Sequence, residues 1–184
     1  MSTLKPKKLI KGDVIFIADK SETNISSLSS GFSGVSFYHC GIYIGNNKII
    51  EAVTYQGVIE ANLDKYKSNK KLVTRTNLDS YTLERIVIKA RSFIGLKYND
   101  LFLPNQNNAL YCSELIHEAF ARILGKPYFQ EQTLNYYCLE THKISNYWQN
   151  LYAEQGLEVP QGEKGSHPNN LSLDEKFIEK FFTY

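Results

Sequence analysis

The chain has 184 residues, a length at which one domain can bury a substantial hydrophobic core. Hydrophobic residues make up 42% of it and charged residues 22%, and a net charge of +2 excludes the strongly basic surface that nucleic-acid-binding proteins use. No apolar run approaches the roughly 18 residues of a membrane span. We therefore predict a single domain over residues 1–184, with no integral membrane segment and no nucleic-acid partner.

Cysteine and histidine are too scattered for a disulfide framework or a metal site. The three cysteines, Cys40, Cys112 and Cys138, form no CxxC pair, and the four histidines form no HExxH motif. We expect no metal and no cofactor. The first residues lead directly into a lysine-rich segment, so we expect no signal peptide. A processed chain would look the same, which leaves the compartment open between cytoplasm and cell envelope.

Short runs of β-branched and aromatic residues predict five strands in the first half of the chain. They are residues 13–18, 38–45, 48–53, 57–61 and 71–76. Between the first two strands, residues 21–36 are rich in serine and glycine. This loop is long enough to be a lid or the rim of a site.

Helices are predicted later in the chain, from apolar residues at helical spacing. The first covers Tyr81 to Ile94, with Gly95 as its C-cap, and the second begins near Tyr111 and ends at Gly125. Residues 173–182 predict one more amphipathic helix. Because strands come early and helices late, we predict an α+β fold.

The segment FYHCGIYIGNNKIIEA (37–52) places a histidine beside a cysteine and adds a glutamate near its end. Side chains alternate along a strand, so His39 and Cys40 point to opposite faces. Cys40 shares its face with Ile42 and Ile44, which favours a small buried hydrophobic residue over a nucleophile.

The pairing of these two strands decides whether His39 meets Glu51. A three-residue loop at 45–47 pairs Ile42 with Ile50 and keeps the apolar row intact, whereas a two-residue loop would place Glu51 in that row. With the three-residue loop, Glu51 lies on the face of His39, as its diagonal neighbour. We therefore predict that the hairpin brings the imidazole and the carboxylate together.

The nucleophile then has to come from another element, and Cys112 is the candidate. It lies at the start of the second predicted helix, on the apolar side with Leu115 and Ile116. A helix N-terminus and a nearby imidazolium both lower the pKa of a thiol, which activates it. The alternative is a buried structural cysteine. Cys138 has no comparable context.

Together, these segments resemble the YiiX-like branch of the permuted NlpC-type papain-fold superfamily. The resemblance implies a circularly permuted papain-like α+β fold, in which an antiparallel sheet packs against helices. It covers a core at residues 11–125 and leaves 126–184 as a C-terminal extension. This chain departs from the family at Tyr38, where a serine is usual, and at Asn99, where an aspartate is usual. The matching segments are GDVIF (12–16), FYHCGIYI (37–44), IIEAV (49–53), GLKYNDLF (95–102) and ALYCSEL (109–115).

The resemblance also implies a triad, with Cys112 as nucleophile, His39 as general base and acid, and Glu51 orienting the imidazole. The implied reaction is acyl transfer through a thioester, with the oxyanion stabilised by backbone N–H groups at the helix start, helped by Tyr43. Further candidates for substrate or oxyanion contacts are Tyr98, Tyr111 and Asp100.

Three functions stay open at this point. The first is a cysteine amidase or peptidase acting on a cell-wall-type peptide or a related small amide, which a polar pocket with Asp100 and Glu114 would favour. The second is a lipid acyltransferase, or an acyl-ester or acyl-amide hydrolase, with the same triad. An apolar groove lined by Phe32, Phe37 and Phe102 would favour it. The third is a binding module with an inert thiol. The aromatic-rich 126–152 segment is interpreted as packing.

Overall fold

A central antiparallel sheet organises the protein. In the computed structural model, which describes residues 7–18 and 26–184, its strands follow the spatial order β4-β3-β2-β1-β5-β8. A short parallel pair, β6 with β7, lies apart from it. The strands are β1 (Val14–Ala18), β2 (Phe37–Gly45), β3 (Lys48–Val53), β4 (Gly57–Asn62), β5 (Lys71–Thr76), β6 (Lys97–Tyr98), β7 (Ala109–Leu110) and β8 (Phe177–Thr183). Residues 19–25, which include the first five residues of the predicted 21–36 loop, lie outside the described residues.

Four α-helices complete the described part of the fold. They are α1 (Ser80–Arg91), α2 (Cys112–Leu124), α3 (Asn146–Ala153) and α4 (Pro168–Ser172). The predicted apolar faces of α1 and α2 are buried, but α1 ends before Ile94, which is 46% exposed. The α+β fold class is therefore confirmed. Within the described ranges, no helix is long and apolar enough to cross a membrane.

The two faces of the sheet are covered differently. Side chains of α1, α2 and α4 pack on one face, around Phe16, Ile42 and Leu72. The opposite face carries a smaller cluster that includes Ile17 and the ring of Tyr66. Because α2 covers the first face, its N-terminal residue approaches the sheet from the helix side.

The hairpin between β2 and β3 has the predicted register but a different turn. Ile42 pairs with Ile50, as the apolar row required. The loop itself has two residues, Asn46 and Asn47, both in the left-handed region with φ of 51° and 58°. An irregularity in the pairing between Tyr43 and Gly45 accounts for the third residue that was predicted to lie in the loop. The predicted three-residue loop is therefore wrong. The prediction that His39 and Glu51 lie on the same face of the hairpin is nevertheless correct.

The predicted helix at 173–182 is wrong, because most of this segment is strand β8. It pairs antiparallel with β5, for example Val73 with Phe181. Its apolar residues also fit a helical spacing, which produced the incorrect prediction. Pairing with β5 gives the backbone N–H and C=O groups of β8 their hydrogen-bond partners. The sequence of this segment alone does not indicate that pairing. The end of the 126–184 segment thus supplies a strand of the main sheet.

Candidate active site

The hairpin brings His39 and Glu51 into direct contact. His39 Nε2 lies 2.6 Å from Glu51 Oε2, and the two side chains are 8% and 0% exposed. Gly41 lies between them in the sheet, and a Cβ at Gly41 would lie 3.3 Å from the Cβ of Glu51. The absence of a side chain at position 41 therefore leaves room for the histidine–glutamate contact.

Two further residues hold the Glu51 carboxylate, and sequence reasoning missed both. The Tyr66 hydroxyl donates to Glu51 Oε2 at 2.7 Å, and Lys65 Nζ forms an ion pair with Oε1. Burial raises the pKa of Glu51, but the bonds to His39, Lys65 and Tyr66 outweigh it and lower this pKa to about 2. The residue is therefore a fixed anion at neutral pH. Lys65 and Tyr66 come from the short 3-10 turn after β4, a segment with no sequence motif.

Cys112 meets this pair from the other side of the sheet. Ladder pairing between β2 and β3 ends at Ile42–Ile50, whereas β2 continues to pair with β1, and β3 with β4. The sheet is therefore open beside His39. Cys112, the first residue of α2, packs in the cluster on the helix side and hydrogen-bonds to the imidazole. The structure thus brings Cys112, His39 and Glu51 together.

Electrostatics favour an ion pair between Cys112 and His39. Burial lowers the pKa of His39, but hydrogen bonds and charge interactions with Cys112 and Glu51 outweigh it and raise this pKa to about 9. The pKa of Cys112 lies well below its ordinary value, because Cys40 and then His39 hydrogen-bond to its sulfur. A thiolate beside an imidazolium is the arrangement of an activated cysteine nucleophile.

Cys40 has a second role beyond the buried hydrophobic residue that the sequence predicted. It is fully buried, as expected, but its thiol and its backbone both hydrogen-bond to Cys112. Burial, together with the bond to Cys112, keeps the pKa of Cys40 well above its ordinary value. Cys40 therefore stays protonated and donates its S–H to the Cys112 thiolate. No sequence pattern indicates this contact, because it depends on where α2 packs.

We expect Cys40→Ala to raise the pKa of Cys112, whereas Cys40→Ser keeps a donor and leaves it nearly unchanged. Loss of one hydrogen bond to a charged group corresponds to about one pKa unit. The measurement is the rate of Cys112 alkylation against pH, whose midpoint should rise by about that amount in Cys40→Ala only. Equal midpoints in the two variants would contradict a donor role for Cys40.

The other predicted contact residues differ in their distance from Cys112. Tyr98 is close: burial and the neighbouring Cys112 raise its pKa, so its hydroxyl stays protonated, and it hydrogen-bonds to Thr54. Tyr43 lies four residues along the strand from His39, about 13 Å away, and its hydroxyl accepts the Asn47 N–H at the turn. The structure therefore does not bring Tyr43 to the oxyanion position.

Tyr111 and Asp100, the other two predicted contact residues, lie at the start of α2 and in the loop between β6 and β7, respectively. The Tyr111 hydroxyl accepts the Ser166 N–H at 3.0 Å, and its backbone N–H donates to Glu114 Oε2 at 3.2 Å. Asp100 is exposed, while its neighbour Asn99 is buried and bonds to both backbone groups of Leu103. Tyr111 thus shapes the start of α2, and Asn99 holds the preceding loop.

Two cavities differ in character, and only the second has a wall from α2. One, of about 320 Å³, has mostly apolar walls that include Phe102. The other, of about 350 Å³, is a polar groove lined by Glu114, His117 and several charged residues. Phe37 is a core residue, and Phe32 packs on Phe182 with ring centroids 6.1 Å apart. The walls of neither cavity include Cys112 or His39 themselves.

Among the described residues, no group of three or more histidine, cysteine, aspartate or glutamate side chains is placed to hold a metal ion.

Comparison with known proteins identifies the family. Residues 8–177 match the family described as permuted papain-like amidase enzymes, YaeF/YiiX, family C92. No curated protein matches the chain. Among solved structures, the chain is similar to YiiX from Escherichia coli O157:H7, which is described as a metalloprotein. The identity is 20%, the match covers 95% of this chain and 96% of that chain, and the TM-score is 0.71. At this identity the likeness shows the fold.

Proposed function

The chain belongs to the permuted papain-like amidase family C92, and is thus an enzyme of the cysteine-hydrolase kind; from this premise we propose that it cleaves an amide bond through a Cys112–His39–Glu51 triad. The observation that carries the proposal is the 2.6 Å contact of His39 with Glu51, combined with the hydrogen bond from His39 to Cys112. The substrate is a small amide, and a cell-wall-type peptide is one member of that class.

In the proposed mechanism, the Cys112 thiolate attacks the amide carbonyl and a C–S bond forms. The imidazolium of His39 gives its proton to the amide nitrogen as the C–N bond breaks, so that a neutral amine leaves. His39 then takes a proton from water, whose oxygen attacks the thioester. The C–S bond breaks, the acid is released, and the thiolate–imidazolium pair is restored.

Backbone groups at the start of α2 support the oxyanion in this mechanism. The first N–H groups of a helix have no partner within the helix, and they carry the positive end of its dipole. Cys112 and Ser113 occupy these positions. Tyr98, which is protonated and close to the sulfur, is the side chain best placed to assist.

Residue-resolved thiol labelling tests the triad before any substrate is known. A limiting alkylating agent at about pH 6 should modify Cys112 rapidly in the wild type and slowly in His39→Ala. Hydrogen bonds from the backbone of Thr141 and Glu140 lower the pKa of Cys138, so labelling there is a background that His39→Ala leaves unchanged. Peptide mass spectrometry separates the three sites. Slow labelling of Cys112 in the wild type would favour the binding-module reading instead.

Amide hydrolysis should decline as the pH rises through about 9, because His39 then loses the proton that the leaving amine needs. On the acid side, activity should persist well below the ordinary thiol pKa of about 8.5, because the thiolate is already formed there. The measurement is kcat/KM against pH. An activity that rises with an apparent pKa near that of a free thiol would contradict the ion pair.

Acyl transfer or hydrolysis on a lipid-like substrate is the second candidate function. One observation favours it: Phe102 lines a largely apolar cavity and packs against Tyr111, the residue before Cys112, with ring centroids 5.0 Å apart. Phe32 and Phe37, the other two residues expected in an apolar groove, do not line this cavity. The polar groove lined by Glu114 instead favours a peptide substrate.

A further inference from the structure

The Glu51 carboxylate is bound through both of its oxygens. Its Oε2 atom lies 2.6 Å from His39 Nε2 and accepts the Tyr66 hydroxyl at 2.7 Å. Its Oε1 atom pairs with the Lys65 ammonium. Lys65 and Tyr66 are consecutive residues of the 3-10 turn Leu63–Tyr66, which follows β4. A cation therefore occupies the carboxylate oxygen that the imidazole leaves free.

Asn47, in the loop between β2 and β3, fixes the beginning of this turn. Its side-chain amide donates to Asn62 Oδ1 at 3.0 Å and to Asp64 Oδ1 at 2.7 Å, and its carbonyl accepts the Leu63 N–H at 2.8 Å. The hairpin that carries the histidine–glutamate pair thus also positions the turn.

Lys71 of β5 fixes the end of the turn. Its side chain is buried, and its ammonium donates to the carbonyls of Tyr66 at 3.0 Å and Asn69 at 2.9 Å. A buried ammonium is costly unless it is hydrogen-bonded, and these bonds to the backbone of the segment offset part of that cost. Because both ends of the turn are held, Lys65 and Tyr66 approach Glu51 from a fixed position.

The titratable side chains around the triad differ in charge. Within the part of the chain that the structure describes, those that contact the triad or interact with it electrostatically come from β2, the 3-10 turn and β6: Tyr38, Cys40, Lys65, Tyr66 and Tyr98. Of these side chains, Lys65 alone carries a positive charge.

The charge of Lys65 acts on His39 through the shared carboxylate. A cation beside a carboxylate takes up part of the negative charge that holds the imidazolium, and it also repels the imidazolium directly. Both effects ease the release of the His39 proton. Because the Lys65 side chain is 38% exposed, solvent screens part of this interaction.

We propose that Lys65 is a positioning residue of the amidase: its ammonium holds Glu51 Oε1 and thereby limits how strongly the carboxylate retains the His39 imidazolium. Lys65 touches no substrate atom and acts through Glu51. In the proposed mechanism His39 gives its proton to the leaving amine, and a carboxylate without a counter-charge would oppose that step. The inference rests on the proposed amidase function and deepens it.

Removal of the Lys65 charge should leave Glu51 in place and ionised. The Tyr66 hydroxyl still donates to Oε2, and the glutamate side chain is fully buried. The bond to His39 is the largest of the effects that lower the pKa of Glu51, so the carboxylate stays ionised at neutral pH. The expected effect of Lys65→Gln is therefore a tighter hold on the His39 proton, with the orientation of the imidazole retained.

The midpoint of His39 deprotonation tests the proposal without any substrate. Proton–nitrogen correlation NMR of the imidazole follows this midpoint, and His39→Ala identifies its signals among the four histidines. In the wild type the midpoint should lie near the His39 pKa of about 9. We expect a rise of about one pH unit in Lys65→Gln, as for the loss of a partly screened charge, and little change in Lys65→Arg, which keeps the charge. An unchanged or lower midpoint in Lys65→Gln would overturn the proposal.

Lys48→Gln is the matched control. Lys48 is 49% exposed and pairs with Glu60 of the neighbouring strand, much as Lys65 pairs with Glu51. Its removal should leave the His39 midpoint unchanged. If Lys48→Gln and Lys65→Gln raised the midpoint equally, the effect would be one of overall charge and the proposal would fail.

Kinetic measurements separate positioning from a structural role. A more basic imidazole is a weaker acid, so kcat of Lys65→Gln should fall about threefold, and the alkaline limb of kcat/KM should move upward with the NMR midpoint. A lysine with a structural role alone would lower the unfolding temperature on removal and leave both pH midpoints at their wild-type values. That result would overturn the proposal.

The two measurements distinguish this proposal from the proposed function. If the wild type hydrolyses no amide but Lys65→Gln raises the His39 midpoint, the amidase mechanism fails and the action of Lys65 on His39 stands. If the wild type hydrolyses amides and Lys65→Gln leaves the midpoint unchanged, the role of Lys65 fails and the amidase stands.

Discussion

Replacing Cys112 by alanine is expected to lower kcat/KM for amide hydrolysis by about 10⁴-fold or more, because no other group can form the thioester. The described structure offers Cys40 as the nearest alternative thiol, but burial keeps it protonated and inaccessible. The measurement is release of aminocoumarin from N-acyl aminocoumarins of increasing chain length. The unfolding temperature should fall less than on loss of Glu51, because His39 keeps its contact with the Glu51 carboxylate.

Cys138→Ala is the matched control for this prediction. Cys138 lies in the 126–184 segment, is half-exposed and takes no part in the triad. Its removal should leave kcat/KM within about twofold of wild type, as expected for a surface substitution. If Cys112→Ala retained a tenth or more of the activity, the assignment of the nucleophile would be wrong.

Replacing Glu51 by alanine is expected to reduce both catalysis and stability. Without the carboxylate, the imidazole of His39 loses its orienting contact, and kcat should fall by about 10²- to 10³-fold, less than for the nucleophile. Glu51 is fully buried and holds His39, Lys65 and Tyr66. Breaking a buried charge pair costs about 3–5 kcal/mol, and the half-exposed Lys65 can return to water, so we expect about 3 kcal/mol.

The pH dependence of stability separates the charge of Glu51 from its packing. The pKa of Glu51 is lowered to about 2, so the carboxylate stabilises the folded state fully above the ordinary glutamate pKa. This stabilisation is lost as the pH falls through about 2. The unfolding free energies of wild type and Glu51→Gln should therefore differ most near neutral pH and converge in acid. A difference that stays constant with pH would contradict an electrostatic role.

Glu60→Gln is the control for this second prediction. Glu60 lies on the neighbouring strand β4 and forms ion pairs with Lys48 and Arg91. All three side chains are solvated, and surface pairs of this kind contribute little. Catalysis and stability should therefore change only slightly in this variant.

The parts of the site that local sequence patterns determine were predictable. Alternation along β2 and β3 separated His39 from Cys40 and placed Glu51 beside His39, because a one-residue slip would have buried the carboxylate in an apolar row. The helical stripe of α2 placed Cys112 at its first turn, facing the sheet. In both cases the regular spacing of apolar residues within one strand or helix indicates the face on which a side chain lies.

The parts that depend on packing between distant segments were not predictable. The contact of Cys40 with Cys112 needs both the position of α2 and the opening between β2 and β3. Lys65 and Tyr66 reach Glu51 because a 3-10 turn folds back over the hairpin, and nothing in its composition indicates that. For residues 173–182, a spacing compatible with a helix was overridden by pairing with β5.

Because the pKa of Cys112 is low only in the folded protein, the rate at which Cys112 is labelled reports on folding. In most proteins a buried cysteine becomes more reactive when the chain unfolds. Here the activating partners, His39 and Cys40, are 73 and 72 residues away in the chain, and they surround the sulfur only in the native state. In denaturant at about pH 6, Cys112 should therefore label more slowly as its pKa returns to about 8.5. Cys40 should become accessible over the same transition, so the ratio of the two labels would measure the fraction of folded molecules within a single sample.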